Sequence, residues 1–168
     1  VGHGDQHGVN VVALQDELDR LGAPQIGVVL KIETNEAFRH LTKLLLTAMR
    51  RYPVAVMIAR GDLAVEAGWG RLAELQEELL WICEAAQVPV IWATQVLESK
   101  AKRGLPSRAE ISDAALSQRA DCVMLNKGPH ILSAIRMLDD ILRRMQAHQY
   151  KKTPTLRRLR FGQESAAV

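Results

Sequence analysis

Four short runs rich in apolar and β-branched residues recur along this chain at nearly constant spacing. They span residues 26–33, 54–59, 88–93 and 122–125, and their first residues stand 28, 34 and 34 positions apart. Each run is almost continuously apolar, as expected of parallel strands that are covered on both faces. The longer segments between the runs have a helical period. The sequence therefore predicts an α/β fold built from four consecutive βα units.

Helix caps and stops divide the segments between the predicted strands. Thr34 is placed to cap a helix that ends before Pro53, and the sequence from Ser107 to Glu110 forms a capping box. We also predict helices over residues 70–86 and 131–148, and a leading helix that ends at Leu21 before Gly22.

Repeated βα units of this length suit either a (β/α)₈ barrel or an open, doubly wound sheet. A complete barrel normally needs about 250 residues, and four units supply half of its strands. One alternative is therefore half a TIM barrel, whose two open sheet edges require a partner. The other is a small open sheet that is stable alone.

The composition is that of an ordinary globular protein, with 48% apolar and 24% charged residues, which argues against a disordered, collagen-like or mucin-like chain. No run of about 18 apolar residues occurs, and the first residues lack the layout of a secretory signal, so a cytoplasmic location without a membrane partner is predicted. Cys83 and Cys122 lie in apolar runs without metal-ligand spacing, and we expect both to be reduced core residues.

The net charge of +3 is unevenly distributed. Residues 141–160 contain seven Lys or Arg and no Asp or Glu. Nucleic-acid binding would favour aromatic residues interleaved with the basic ones, and this segment has few. The pattern favours a solvated helix end followed by a tail, and no nucleic-acid partner is predicted.

Polar residues follow the predicted strands at their carboxyl ends, where parallel α/β folds gather functional groups on one face. Lys31 and Glu33 lie two apart and so share one side of the first strand, while Asp62 follows the second. Glu33 and Asp62 could supply two oxygens to Mg²⁺ or Mn²⁺, with Lys31 beside the metal to stabilise an enolate or a phosphoryl group. Gly61 would let the backbone approach a bound anion.

Each of these features also has a simpler interpretation. Lys31 and Glu33 could be a solvated charge pair, and Arg60-Gly61-Asp62 could be an ordinary turn. Thr94, which follows the third strand, is a common strand residue. The functional interpretation rests on four polar endings on four consecutive apolar strands.

Five motifs in one order carry a family resemblance: K-I-E, A-R-G-D-L, A-T-Q-V-L-E-S, R-A-E-I-S-D and D-C-V-M-L. From about residue 26 to residue 137, the chain resembles the second half of the catalytic barrel of pyruvate kinase. The resemblance covers only the middle of the chain, so we predict three segments: an irregular N-terminal segment over residues 1–10, half of the barrel domain over residues 11–148, and a basic tail over residues 149–168.

The resemblance implies transfer of the phosphoryl group of phosphoenolpyruvate to ADP, the glycolytic reaction that yields pyruvate and ATP. It further implies Mg²⁺ or Mn²⁺ as the cofactor, and K⁺ held by ligands outside this chain. The resemblance implies that Glu33 and Asp62 are metal ligands and that Lys31 stabilises the phosphoryl group in transit. It implies that the backbone at Ala59 and Gly61 contacts the substrate carboxylate and that Asp62 also contacts the substrate. It places Thr94 beside the methylene carbon and in the proton relay.

The chain departs from the family after the fourth strand. Residues 126–130 read N-K-G-P-H, where the family usually reads S-G-E-T-A-K-G, so a hydroxyl and a carboxylate are missing. The family's N-terminal half-barrel, its lid domain and its usual regulatory domain do not match this sequence. A truncated phosphotransferase that needs the missing half-barrel or self-association is therefore expected. The alternatives are a Mg²⁺-dependent aldolase or lyase on a related barrel, and a non-catalytic barrel-half assembly module.

Overall fold

The computed structural model of the chain describes residues 6–51 and 53–152. Its four strands are β1 (Val28–Ile32), β2 (Val54–Ala59), β3 (Val90–Ala93) and β4 (Cys122–Val123). All neighbouring strands are parallel, and their order in the sheet is β1-β2-β3-β4. Chain order is the order found in barrels, whereas a doubly wound sheet reverses direction. The prediction of a partial barrel with four βα units is confirmed.

Eight α-helices lie within the described part of the chain: α1 (Gln6–Arg20), α2 (Asn35–Arg39), α3 (Leu41–Ala48), α4 (Arg60–Ala67), α5 (Trp69–Ala86), α6 (Glu98–Arg103), α7 (Arg108–Leu116) and α8 (Ile131–Lys152). A 3₁₀ turn, Ser117–Arg119, follows α7. The predicted capping box is present, since the Ser107 hydroxyl and the Glu110 carboxylate each accept the other residue's backbone N–H.

The helix predicted to start at Thr34 is interrupted. The Thr34 hydroxyl accepts the Ala37 N–H at 3.1 Å, as predicted, but α2 ends at Arg39 and α3 begins at Leu41. His40, which has φ −100° and ψ 7°, lies between them. Helix α2 buries no residue whereas α3 buries four, so the break turns the apolar face of α3 into the core.

The structure also differs from prediction near the ends of the helices. Residues 60–62, for which an ordinary turn was the simpler interpretation, begin a helix, α4, that the sequence did not predict. Helix α1 begins at Gln6, so residues 6–10 of the segment predicted to be irregular are helical. Helix α8 extends to Lys152, into the segment assigned to a basic tail, whose residues 153–168 lie outside the description. The division into three segments stays a prediction.

The core lies between the sheet and the helices that cover it. Its largest fully buried side chains include Ile58 and Trp92 from the sheet and Leu41, Leu75 and Leu79 from α3 and α5. Full burial of one such side chain stabilises the fold by about 1.5–3 kcal/mol. Helix α1 is joined to α3 by a buried hydrogen bond from Gln15 Nε2 to the Ala48 carbonyl at 2.9 Å.

The two cysteines differ in burial. Both are free thiols, but only Cys83 is buried, and burial raises its pKa to about 11. Cys122 is exposed, so its predicted place in the core is wrong. The reason is its position on β4, which has a neighbouring strand on one side only among the described residues. None of the helices in the described ranges is long and apolar enough to cross a membrane.

Candidate active site

Lys31, Glu33 and Asp62 lie together at the carboxyl edge of the sheet. Lys31 Nζ forms an ion pair with Glu33 Oε2 and lies 4.0 Å from Asp62 Oδ2. Lys31 belongs to β1, Glu33 follows it, and Asp62 lies in the first turn of α4, directly after β2. Because β1 and β2 are paired in parallel, their ends bring two carboxylates to one ammonium group. We name these three residues the Lys31 cluster.

The Lys31 cluster is open to solvent. The side chains of Lys31, Glu33 and Asp62 are 50%, 41% and 66% exposed. The pKa of Lys31 is raised, mainly by its hydrogen bond with Glu33 and further by the charges of Glu33 and Asp62, although partial desolvation opposes the rise. Ion pairs this exposed contribute little to folding stability. The arrangement therefore gathers charge at an accessible edge of the sheet without being required for the fold.

Gly61 and Thr94 connect two neighbouring strand ends. The Gly61 N–H donates to Thr94 Oγ1 at 2.8 Å, so the amide predicted to receive a substrate carboxylate already has a hydroxyl partner. Ala59, the other backbone group assigned to that role, is buried and precedes the first residue of α4. Gly61 does not have positive φ, and a Cβ there would meet Thr94 Oγ1 at an ordinary 3.5 Å. The conformational freedom predicted for Gly61 is therefore not used.

The chain turns sharply after β3. Thr94, Gln95 and Leu97 have φ values of 66°, 59° and 46°, in the left-handed region. For residues other than glycine this conformation costs roughly 1–2 kcal/mol each. Such strain persists only where surrounding contacts impose it, and it is concentrated at functional sites.

Arg60 and Asp113 hold this bend, and neither residue was predicted from the sequence to have a role. Arg60 is 8% exposed, and its guanidinium donates from Nε to the Ala93 carbonyl at 2.9 Å and from Nη2 to the Thr94 carbonyl at 2.5 Å. It pairs in bidentate fashion with Asp113 of α7 and lies 4.6 Å from the ring centre of Trp92. The available signal was an arginine directly after an apolar strand, within the quoted A-R-G-D-L motif.

The carboxylates of the Lys31 cluster fit a hard divalent cation in donor type. They are oxygen donors from two adjacent strand ends, and Mg²⁺ is commonly bound by one or two carboxylates together with water and substrate phosphate. Within residues 6–51 and 53–152 no group of three or more His, Cys, Asp or Glu could hold a metal. Any metal held by Glu33 and Asp62 would therefore take its remaining ligands from water, substrate or other chain segments.

The segment that departs from the family motif is packed against α6. The His130 N–H donates to the Ala101 carbonyl at 2.9 Å, and a Cβ on Gly128 would lie 2.6 Å from the Ala101 carbonyl carbon. Gly104, which follows α6, faces the His130 ring. A Cβ added to Gly104 would lie 3.3 Å from His130 Nε2. Gly128 therefore lies so close to the backbone of Ala101 that a side chain there would require the two segments to move apart.

A partial (β/α) barrel with a cluster of charged residues at the carboxyl ends of its strands belongs to the class of barrels that carry their active site on this face. Comparison with known proteins identifies the family, because the family described as "Pyruvate kinase, barrel domain" matches residues 6–129. The chain belongs to the pyruvate kinase family, and the resemblance seen in the sequence is confirmed.

Pyruvate kinases from distantly related organisms are similar in sequence to this chain. The pyruvate kinase of Hypocrea jecorina is 38% identical over 117 residues, which cover 67% of this chain and 21% of that protein. Pyruvate kinase PKLR of Rattus norvegicus is 33% identical over 85% of this chain and 25% of its own length. The pyruvate kinase of Thermotoga maritima is 33% identical over 79% of this chain and 28% of its own length. The chain thus spans about a quarter of the length of these relatives.

Proposed function

We propose that this chain forms the phosphoenolpyruvate-binding part of a pyruvate kinase active site. In the reaction, a terminal oxygen of ADP forms a bond to the phosphorus of phosphoenolpyruvate while the bond from phosphorus to the enol oxygen breaks. The enolate left behind takes a proton at its methylene carbon and becomes pyruvate. The observation that carries this proposal is the contact of Lys31 with both Glu33 and Asp62 at the carboxyl edge of the sheet.

Lys31 would stabilise negative charge on the phosphoryl group in transit. The Lys31 ammonium is protonated at neutral pH even at the ordinary lysine pKa of 10.5, and a positive charge at a transferring phosphoryl group lowers the barrier. Glu33 and Asp62 would hold Mg²⁺ or Mn²⁺, which neutralises phosphate charge when bound. The ion pair between Lys31 and Glu33 would rearrange to free the carboxylate for this role.

Thr94 would contact the substrate near the carbon that is protonated. Its oxygen accepts the Gly61 N–H, so the hydroxyl hydrogen remains able to donate. Asp62 and the backbone at Ala59 and Gly61 would complete the substrate contacts. For Gly61 this requires the substrate carboxylate to share or replace the Thr94 hydroxyl as acceptor.

The complete reaction also needs groups from parts of the family's barrel that this sequence does not match. The substrates would be phosphoenolpyruvate and ADP, and K⁺ would be held by ligands elsewhere. We propose that a complementary half-barrel, or self-association, covers the open edges of β1 and β4. The cytoplasmic location predicted from the sequence belongs to this proposal.

A coupled assay tests the proposal. It follows pyruvate formation from phosphoenolpyruvate and ADP with Mg²⁺ and K⁺, using the chain alone and the chain mixed with the N-terminal barrel half of the Thermotoga maritima relative. We expect little activity alone and recovery in the mixture. Lys31→Met should abolish the recovered activity, whereas Lys102→Met, which removes an exposed lysine of α6, should leave it unchanged.

Other results would contradict the proposal in distinct ways. Binding of phosphoenolpyruvate that does not depend on Mg²⁺ would argue against the metal assignment. Cleavage of a 2-keto-4-hydroxy acid without ADP would indicate a lyase. An oligomer without Mg²⁺ affinity, measured by light scattering and calorimetry, would indicate an assembly module.

A further inference from the structure

Arg60 links helix α7 to the bend that carries Thr94. Its guanidinium donates to two successive carbonyls, those of Ala93 and Thr94, at 2.9 and 2.5 Å. It also forms two hydrogen bonds to the Asp113 carboxylate, and the longer of these, from Nη2 to Oδ2, is 2.9 Å. One side chain thus connects the end of β3 with α7.

Asp113 determines where the Arg60 guanidinium lies. Arg60 is almost fully buried and lies over the Trp92 ring, and Trp92 Nε1 approaches Asp113 Oδ1 at 3.4 Å. A buried guanidinium needs a partner for its charge, and removal of one member of a buried pair leaves the other uncompensated. The bidentate geometry further fixes the plane of the guanidinium and hence the direction of its other donors.

Thr94 is held at two atoms by two successive residues of α4. Its carbonyl accepts from Arg60, and its hydroxyl accepts from the Gly61 N–H at 2.8 Å. The left-handed φ of 66° is unfavourable for a β-branched residue, so the bend depends on these contacts. If the contact from Arg60 is lost, the Thr94 carbonyl loses this donor, and the hydrogen bond between the Thr94 hydroxyl and the Gly61 N–H must hold the unfavourable bend without it.

We propose that Asp113 is a positioning residue for the active site, which acts through Arg60 to hold Thr94 in its bend with the hydroxyl on the Gly61 amide. Asp113 need not touch the substrate. Its importance for phosphoenolpyruvate rests on the proposed function, whereas its effect on Thr94 and Gly61 is a property of the folded chain.

The test compares Asp113→Asn with Glu77→Gln in the full chain. The control variant removes the charge of Glu77, which pairs with Arg119, an arginine distant from it in sequence. Amide hydrogen exchange by NMR is measured at Gly61, and urea unfolding is measured in parallel. We expect exchange at Gly61 to rise about tenfold in Asp113→Asn relative to core amides of the same variant, and to stay unchanged in Glu77→Gln.

Calorimetry with phosphoenolpyruvate and MgCl₂ then separates this proposal from the proposed function. If the wild-type chain binds, Asp113→Asn should weaken binding about tenfold to a hundredfold. If the wild-type chain fails to bind, the proposed function is contradicted for this chain, and Gly61 exchange still decides the positioning role.

Unchanged exchange at Gly61 in a folded Asp113→Asn variant would overturn the positioning role, as would unweakened binding in that variant. If Asp113→Asn does not fold, Arg60→Lys replaces it, because lysine keeps the charge but cannot make the same set of directed contacts. Selective loss of Gly61 protection in Arg60→Lys supports the proposal, and its absence overturns it.

Discussion

The hydroxyl oxygen of Thr94 lies 2.8 Å from the amide nitrogen of Gly61 and accepts its hydrogen bond. This contact joins the bend after β3 to the first turn of α4, which follows β2. It therefore links two neighbouring βα units at the edge where the charged cluster lies. The same oxygen retains its own hydrogen for donation to a ligand.

Loss of this hydroxyl should destabilise the chain. Thr94→Val has a similar shape but cannot accept the Gly61 N–H, and we expect a loss of about 0.5–1.5 kcal/mol in the free energy of unfolding. Thr47→Val is the matched control, because the Thr47 hydroxyl donates to the Lys43 carbonyl within the same helix, α3, at an exposed position. It should change stability by less than about 0.5 kcal/mol. Equal effects in urea denaturation would contradict the role assigned to the Gly61 contact.

Two glycine substitutions should change the stability of the fold in opposite directions. In Gly128→Ala the added Cβ meets the backbone of Ala101, with 2.6 Å to its carbonyl carbon, so we expect a loss of roughly 1–3 kcal/mol. In Gly70→Ala, within α5, nothing lies within 4 Å of the added Cβ, and a gain of about 0.4–1 kcal/mol is expected. Thermal unfolding of both variants checks this, and a neutral Gly128→Ala would show that the 126–130 segment is not held against α6.

The titration of Lys31 should depend on Glu33. The pKa of Lys31 lies above its ordinary value of 10.5, mainly because of the hydrogen bond with Glu33, and Glu33→Gln should lower it. Since the pKa is higher in the folded chain, the contact favours folding below the ordinary lysine pKa, and this contribution is lost as the pH rises through the folded-state pKa. NMR titration of the Lys31 side chain measures the change.

Glu98→Gln is the control for that titration. It removes the carboxylate that contacts Lys102 on α6, and the Lys31 pKa should not move. If both variants shift Lys31 equally, or neither does, the ion pair at the strand end is not maintained in solution.

The strands could be predicted from sequence because burial on both faces leaves a continuous apolar run. The predicted and observed bounds of β2 agree at both ends, whereas β4 has only two residues and is shorter than predicted. Cys122 has the apolar neighbours of a core strand, yet it is exposed because β4 lies at an edge. Edge position depends on which strands are neighbours, and the local sequence does not contain that information.

The Lys31 cluster could be anticipated because residues at the ends of parallel strands meet at one edge. Arg60 could not, since its burial depends on Asp113, which is 53 residues further along the chain. Helix α4 was missed for a related reason, because Arg60-Gly61-Asp62 resembles a turn in its local composition. The bend at Thr94 was missed because threonine seldom has positive φ, and only tertiary contacts impose it here.

The proposed function depends most on the joint use of Glu33 and Asp62 by one divalent cation beside Lys31. Paramagnetic line broadening by Mn²⁺ in the presence of phosphoenolpyruvate measures this directly, since it marks the amides nearest the bound ion. We predict selective broadening at Glu33 and Asp62, lost in both Glu33→Gln and Asp62→Asn and retained in Glu98→Gln. Broadening centred elsewhere in the chain, or unchanged in the first two variants, would contradict the account.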